Sequence, residues 1–255
     1  MESALIAFSG GADSALLVRV AHDVLGEGAV ALTAVSPSLP RDELEESRRF
    51  AQAVGIRHLL VPSREMENPD YVGNPVDRCY HCKSELFRLC RAEADRLGLR
   101  WVAEGSQRDD LGDFRPGRRA AEEQGVRSPL IEAGLGKTDV REISRLLDLA
   151  TWDKPAMACL ASRFPAGTPI TEEGLRRVEV CERFLRENGF RVVRVRLEGE
   201  GARVELDPKE IERLASGEMR GRFLALCKEN GFARVALDLE GYRPAGKEAA
   251  RAGLA

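Results

Sequence analysis

The chain has 255 residues, 43% hydrophobic and 32% charged, with a formal net charge of −3, enough for one large domain or two small ones. That balance excludes the overall basic field expected of a nucleic-acid- or membrane-surface-binding protein, and no run approaches the ~20 apolar residues of a membrane helix. The N-terminus lacks the basic region and long apolar stretch of a secretory signal. A cytoplasmic setting is therefore expected, and the six cysteines read as thiols or metal ligands rather than a disulfide framework.

Ala4 to Phe8 predicts a short buried strand, and Leu17, Val20, Ala21, Val24 and Leu25 recur at helical spacing. Between them, Ser9-Gly10-Gly11-Ala12-Asp13-Ser14 forms a tight strand-to-helix turn. Glycines there let the backbone bend sharply, and the N–H groups of the helix's first turn favour an anion. The turn lacks the Lys-Ser/Thr of a P-loop and the G-x-G-x-x-G of a dinucleotide fold. Ala29 to Val35 is an apolar run broken by Ser36-Pro37-Ser38-Leu39-Pro40. Arg41 to Val54 predicts a charged helix, His58 to Val61 a strand, Ser84 to Leu97 a helix and Leu99 to Ala103 a strand with Trp101 in the core. Thr138 caps a helix with Val140, Ile143, Leu146 and Leu147 on its apolar face. Strands alternating with helices predict an α/β fold, a parallel sheet with helices on both faces. Its ligands would bind at the strands' carboxyl ends, where Ser9 to Ser14, Ser36 and Glu104 to Asp110 gather.

The second half reads as a small α+β unit. Thr171 to Asn188 is a long helix with Leu175, Val178, Cys181 and Leu185 on one stripe. Val192 to Leu197 and Ala202 to Leu206 alternate around Glu198-Gly199-Glu200-Gly201 as a hairpin. Helices over Pro208 to Ala215 and Glu218 to Asn230 follow, then a strand from Arg234 to Leu239. A boundary in the Pro- and Gly-rich stretch Pro155 to Gly167 divides the chain into domains at 1–160 and 161–243, with 244–255 a loose tail.

Three groups of residues carry chemistry. Glu104, Asp109, Asp110 and Asp113 crowd four acids behind a strand, a costly arrangement unless a cation or basic ligand is present. Cys79-Tyr80-His81-Cys82 lies in a loop just before a helix, whose N-terminus favours thiolate. Such a pair can be a redox couple, half of a zinc site or part of an iron–sulfur site. Cys159 is the remaining candidate, with Lys154 and Arg163 nearby in sequence to favour its thiolate. Two plus one gives three thiolates, one short of the four that usually hold a 4Fe–4S cluster, which favours that site over zinc or a disulfide. Cys90, Cys181 and Cys227 lie in helical, apolar settings and read as packing. Arg194 and Arg196 share one face of a strand and could grip a phosphate with bidentate bonds. Glu198 and Glu200 read as solvent-facing turn tips, whereas Glu205 could also help bind metal.

The string Ser9-Gly10-Gly11-x-Asp13-Ser14 after a first strand resembles the signature of the PP-loop ATP pyrophosphatases. The ordered motifs "FSGGADS", "RCYHCK", "EGSQRDDLGDFRPG", "GVRSPL", "WDKPAMACLASR" and "RVRL" resemble the LarE family over nearly the whole chain. That resemblance implies an ATP- and Mg²⁺-dependent sulfur transferase for nickel-pincer cofactor synthesis. It would adenylate a carboxylate of pyridinium-3,5-biscarboxylic acid mononucleotide and convert it to a thiocarboxylate. Ser9, Gly10, Gly11, Asp13, Ser14, Ser36 and Gly105 would hold ATP, Asp13 with Asp109 and Asp110 would serve magnesium, and Arg194 and Arg196 the substrate phosphate. Glu104, Arg163 and Glu205 would supply a second metal or substrate site. In one version of the family the cysteine matching Cys159 surrenders its own sulfur. In the other a Cys-x-x-Cys and that cysteine hold a 4Fe–4S cluster, and Cys79 and Cys82 place this chain with the second. The family also implies a homo-oligomer, often a hexamer. Competing expectations are a tRNA thiolase, disfavoured by the balanced charge, an amide-forming synthetase, and a non-catalytic nucleotide-binding or iron–sulfur scaffold.

Overall fold

The computed structural model describes residues 1–112, 116–155 and 158–243, so Asp113 and the expected tail 244–255 lie outside the described residues. The chain divides into two compact units, Met1–Cys159 and the part from Leu160 onward. No helix among the described residues is long and apolar enough to cross a membrane.

In the first unit, β1 (Ala4–Ala7), β2 (Ala29–Val35), β3 (Arg57–Pro62) and β4 (Trp101–Ala103) form a sheet in the order β3-β2-β1-β4. Every pairing in it is parallel. The helices are α1 (Ala12–Leu25), α2 (Arg41–Val54), α3 (Pro69–Val72), α4 (Arg78–Leu97), α5 (Pro116–Glu123), α6 (Pro129–Glu132) and α7 (Lys137–Leu146). Alternation along β1 makes two cores. Ala4 and Ile6 pack with Ala15, Val18 and Ala21 of α1 and Ala51 of α2. Leu5 and Ala7 pack with Phe87, Cys90 and Ala94 of α4 and Ala120 of α5. Helices therefore cover both faces, as the alternating pattern predicts. The strand order reverses beside β1, which puts the turn after β1 at the switch point where ligands of such sheets bind.

Three local expectations are corrected. The helix expected from Ser84 starts six residues earlier, so Cys79 and Cys82 lie in the first turns of α4 rather than in a loop. A turn with buried Asn74 at φ 53° precedes it, and Asn74 Oδ1 accepts a 2.5 Å bond from Arg78 Nη1, anchoring the helix start. Thr138 is not the cap of α7: Gly136 occupies that position, and the Asp139 carboxylate reaches back to the Gly136 N–H at 2.8 Å. Trp101 is only partly buried, with the Arg100 and Arg127 guanidiniums 5.7 and 5.0 Å from its ring.

In the second unit, α8 (Glu172–Glu187) is capped by the Thr171 hydroxyl, which accepts from the Gly174 N–H. A second sheet follows in the order β5-β6-β7, from β5 (Val193–Glu198), β6 (Gly201–Leu206) and β7 (Arg234–Leu237). The hairpin β5–β6 is antiparallel and β6–β7 is parallel. Of the helix expected over Pro208 to Ala215, only α9 (Ile211–Ala215) is α-helical, after a 3₁₀ turn; α10 (Gly217–Glu229) then leads to β7. Cys90, Cys181 and Cys227 are fully buried, as expected of packing residues, and the Cys181 and Cys227 sulfurs lie 3.5 Å apart.

Candidate functional site

The chain leaves β1 through Gly10 at φ 78°, a left-handed conformation that favours glycine. Gly11 stands at the N-cap of α1 and no side chain caps that end. A helix start of this kind presents N–H donors and a favourable dipole to an anion. Ser9 and Ser14 bring their hydroxyls within 3.1 Å of each other, and Ser14 Oγ also donates to Gly11 O at 3.1 Å. Asp13 lies in the same first turn. Gly105, just past β4, lies against this turn so closely that a Cβ on it would stand 2.9 Å from Ser14 N and Cα.

Lys154 completes the surroundings of the loop. Its ammonium donates to Gly10 O at 3.1 Å and to Glu43 and Glu46 at 2.7 Å each. Burial opposes that charge, but the two carboxylates raise its pKa. Sequence reasoning set Lys154 beside Cys159; its bonds tie it to the loop instead, and the Lys-Pro step gave no sign of that partner.

The acidic segment is mostly committed to local structure. Glu104 is buried and accepts from the hydroxyls of Ser106 (2.8 Å) and Ser128 (2.6 Å). Asp109 accepts from the Lys137 N–H at 2.9 Å, and buried Asp110 from the Gln107 N–H at 3.1 Å. Ser36 gives its hydroxyl to Glu65 at 2.7 Å, so Ser36, expected at ATP, is linked to the cysteine site.

That site is organised around Glu65, which is 4% exposed. Glu65 Oε1 accepts from Ser36 and Ser38 (2.5 Å), and Oε2 from the Cys82 thiol at 3.0 Å. Three residues apart, Cys79 and Cys82 share one side of α4. Cys159 is close enough to act electrostatically on Cys82, Arg78 and Tyr71 together. Burial, then Glu65 and Cys159, push the Cys82 thiol well up. Burial opposes the charge of Arg78, but Cys159, Cys79 and Tyr71 outweigh it and its pKa is raised. Burial and Glu65 raise the Tyr71 phenol, which stays protonated. None of the three cysteines forms a disulfide among the described residues. Among the described residues, no three His, Cys, Asp or Glu side chains are gathered tightly enough for one metal ion. Sequence reasoning missed Glu65, Tyr71 and Arg78; the Asn-Pro step before "RCYHC" was the one available signal.

The second unit holds a separate ionic cluster. Fully buried Arg163 donates to both oxygens of fully buried Glu182 at 2.8 and 2.9 Å. Arg163 was expected to favour the Cys159 thiolate; the structure gives it a buried carboxylate partner that sequence reasoning missed. Burial opposes ionisation of Glu182, yet Arg163 above all holds its carboxyl below the ordinary range. Arg194 is 6% exposed and lies 4.8 Å from the Tyr242 ring; burial first, then Arg163, press its pKa down. Arg196 grips both oxygens of Glu205 at 3.0 Å, and Arg203 adds a 2.5 Å bond to the same carboxylate. Glu198 is exposed but pairs with Arg203 at 2.6 Å.

A parallel sheet covered on both faces, with a Ser-Gly-Gly-x-Asp-Ser turn after its first strand, accords with the PP-loop superfamily. No family profile matches the chain. The chain is 34% identical over 245 residues to the pyridinium-3,5-bisthiocarboxylic acid mononucleotide synthase of Lactiplantibacillus plantarum, covering 95% of this chain and 88% of that protein. An uncharacterized protein of Synechocystis is 51% identical over 243 residues, 95% of this chain and 91% of its own. An uncharacterized protein of Methanocaldococcus jannaschii is 28% identical over 239 residues, 94% of this chain and 90% of its own. The chain belongs to the LarE family, that of the Lactiplantibacillus synthase.

Proposed function

We propose that this chain is an ATP-dependent sulfur transferase acting on pyridinium-3,5-biscarboxylic acid mononucleotide, with a 4Fe–4S cluster held by Cys79, Cys82 and Cys159. The family membership supports the substrate class. The observation that supports the sulfur chemistry is the pair Cys79 and Cys82 in the first turns of α4, with the Cys82 thiol donating to buried Glu65 at 3.0 Å.

A carboxylate is a poor electrophile because its leaving group would be oxide. The turn at Ser9 to Ser14 would hold the β,γ-phosphates, with Asp13 at Mg²⁺, while a carboxylate oxygen attacks the α-phosphate and pyrophosphate leaves. The acyl-adenylate then has AMP as its leaving group, and attack by sulfur gives the thiocarboxylate. Arg194, whose charge is disfavoured by burial and Arg163, would meet the substrate phosphate with Arg196, since an added anion relieves that penalty. Three thiolates would leave one iron of such a cluster open, and the cluster, when bound, would supply sulfide there. Arg78 would offset the negative charge gathered by the thiolates.

The test is anaerobic reconstitution. Iron and acid-labile sulfide should be present and should be lost on changing Cys79, Cys82 or Cys159 to alanine, while Cys90→Ala keeps both. A Cys159→Ala protein with a full cluster and full sulfur transfer sinks the reading. Transfer that survives Cys79→Ala, with Cys159 converted to dehydroalanine, selects the sacrificial route instead.

A further inference from the structure

Two cysteines that take no part in the reaction above face each other inside the second unit. Cys181 on α8 and Cys227 on α10 are fully buried, with their sulfurs 3.5 Å apart. The contacts on either side fix that meeting. Towards one end of the seam, Arg177 donates to Gly231 O and lies over the Phe232 ring at 4.2 Å. Towards the other, the Phe184 and Phe223 rings stand 5.9 Å apart. Rising positions on α8 thus meet falling positions on α10, so the helices run antiparallel with the sulfurs between two sets of contacts. A covalent S–S bond needs roughly 2.0 Å, a closure of roughly 1.5 Å shared between two side chains. Other small residues could pack this seam; what a pair of thiols adds is the capacity to join.

We propose that Cys181 and Cys227 are a dithiol that peroxide converts to a disulfide, and that this bond clamps α10 onto α8. Peroxide oxidises one thiol to a sulfenic acid and releases water. The second sulfur then attacks the first, the S–S bond forms, and the sulfenic hydroxyl leaves with the remaining thiol proton as a second water. Two electrons pass from the thiols to the peroxide. The closed seam is unreactive: the contact with Cys227 first, then burial, push the Cys181 thiol up, and the thiolate is the nucleophile. Access comes through α10, in which only Phe223 and Cys227 are buried, because an element with few buried contacts opens locally at low cost.

The test uses the full chain without metal or nucleotide. Hydrogen peroxide is added, remaining thiols are capped with N-ethylmaleimide after unfolding, and the digest is read by mass spectrometry. The peptides carrying Cys181 and Cys227 should be recovered joined, with the loss of two hydrogens. Recovery of both as capped thiols, after many openings of α10 as timed by amide hydrogen exchange, overturns the proposal. So does conversion of either to sulfinic acid, because a partner sulfur at 3.5 Å should capture the sulfenic acid first. In the joined protein the α10 amides should exchange about tenfold or more slowly, and unchanged exchange overturns the clamp. Cys227→Ser removes the partner: dimedone should then trap a sulfenic acid at Cys181 and should trap none there in the unaltered chain. Equal trapping in the two proteins overturns the proposal.

Discussion

Gly105→Ala places a methyl group against the start of α1. Its Cβ would stand 2.9 Å from Ser14 N and Cα and 3.1 Å from Asp13 C. Carbon atoms pack best at about 3.5–4.0 Å, so roughly half an ångström must be opened. The obstacles are backbone atoms of the turn after β1, which cannot swing aside as a side-chain tip can. Overpacking of this kind costs about 1–3 kcal/mol, which lowers the melting temperature of a chain this size by about 2–12 °C. The effect on chemistry is larger. Displacement on the order of 1 Å costs about 100-fold in rate, so pyrophosphate release from ATP with the pyridinium substrate should fall between about tenfold and 100-fold. Gly112→Ala is the control, because a methyl group there would meet no atom within 4 Å. Calorimetry and a pyrophosphate-release assay on the two variants decide the matter. Unchanged melting and an unchanged rate in Gly105→Ala would refute the close approach of the two backbones.

Asp13→Ala should abolish pyrophosphate release while leaving melting within about 2 °C, as expected of a surface change within ±0.5 kcal/mol; release at the unmutated rate would dismiss the loop assignment. Glu182→Gln should destabilise the second unit by about 3–5 kcal/mol at neutral pH, because it leaves Arg163 buried against a neutral partner. Glu182 has a folded pKa below its ordinary 4.5, so its contribution is present above that value and is lost as pH falls through the folded pKa. Denaturant titrations from pH 7 down to pH 3 should show that acid limb in the unaltered protein and not in Glu182→Gln; identical limbs would remove Glu182 as its source.

The two layers of sequence information were unequally legible. The parallel sheet was readable because Ala4 to Phe8 and Ala29 to Val35 are apolar runs bounded by turn residues, and because α2 carries a clear amphipathic period. The start of α4 was not, since Asn74 and Asp77 give turn signals inside what becomes a helix entrance, and Arg78's bond to Asn74 is invisible in a linear string. The loop glycines were legible from composition alone. The fates of Lys154 and Arg163 were not: each is a basic residue near Cys159 in sequence, and only the fold shows one tied to Glu43 and Glu46 and the other to Glu182.

The bond from Lys154 to Gly10 spans 144 positions of sequence, and that separation has a meaning in time. The turn after β1 leaves the ribosome well before the lysine that braces it. At a synthesis rate of about 5–20 residues per second, the turn waits roughly 7–29 s for that partner. Throughout this interval the nascent turn lacks its brace, so its final geometry is a late event in the life of each molecule, even though its own residues are made long before the lysine.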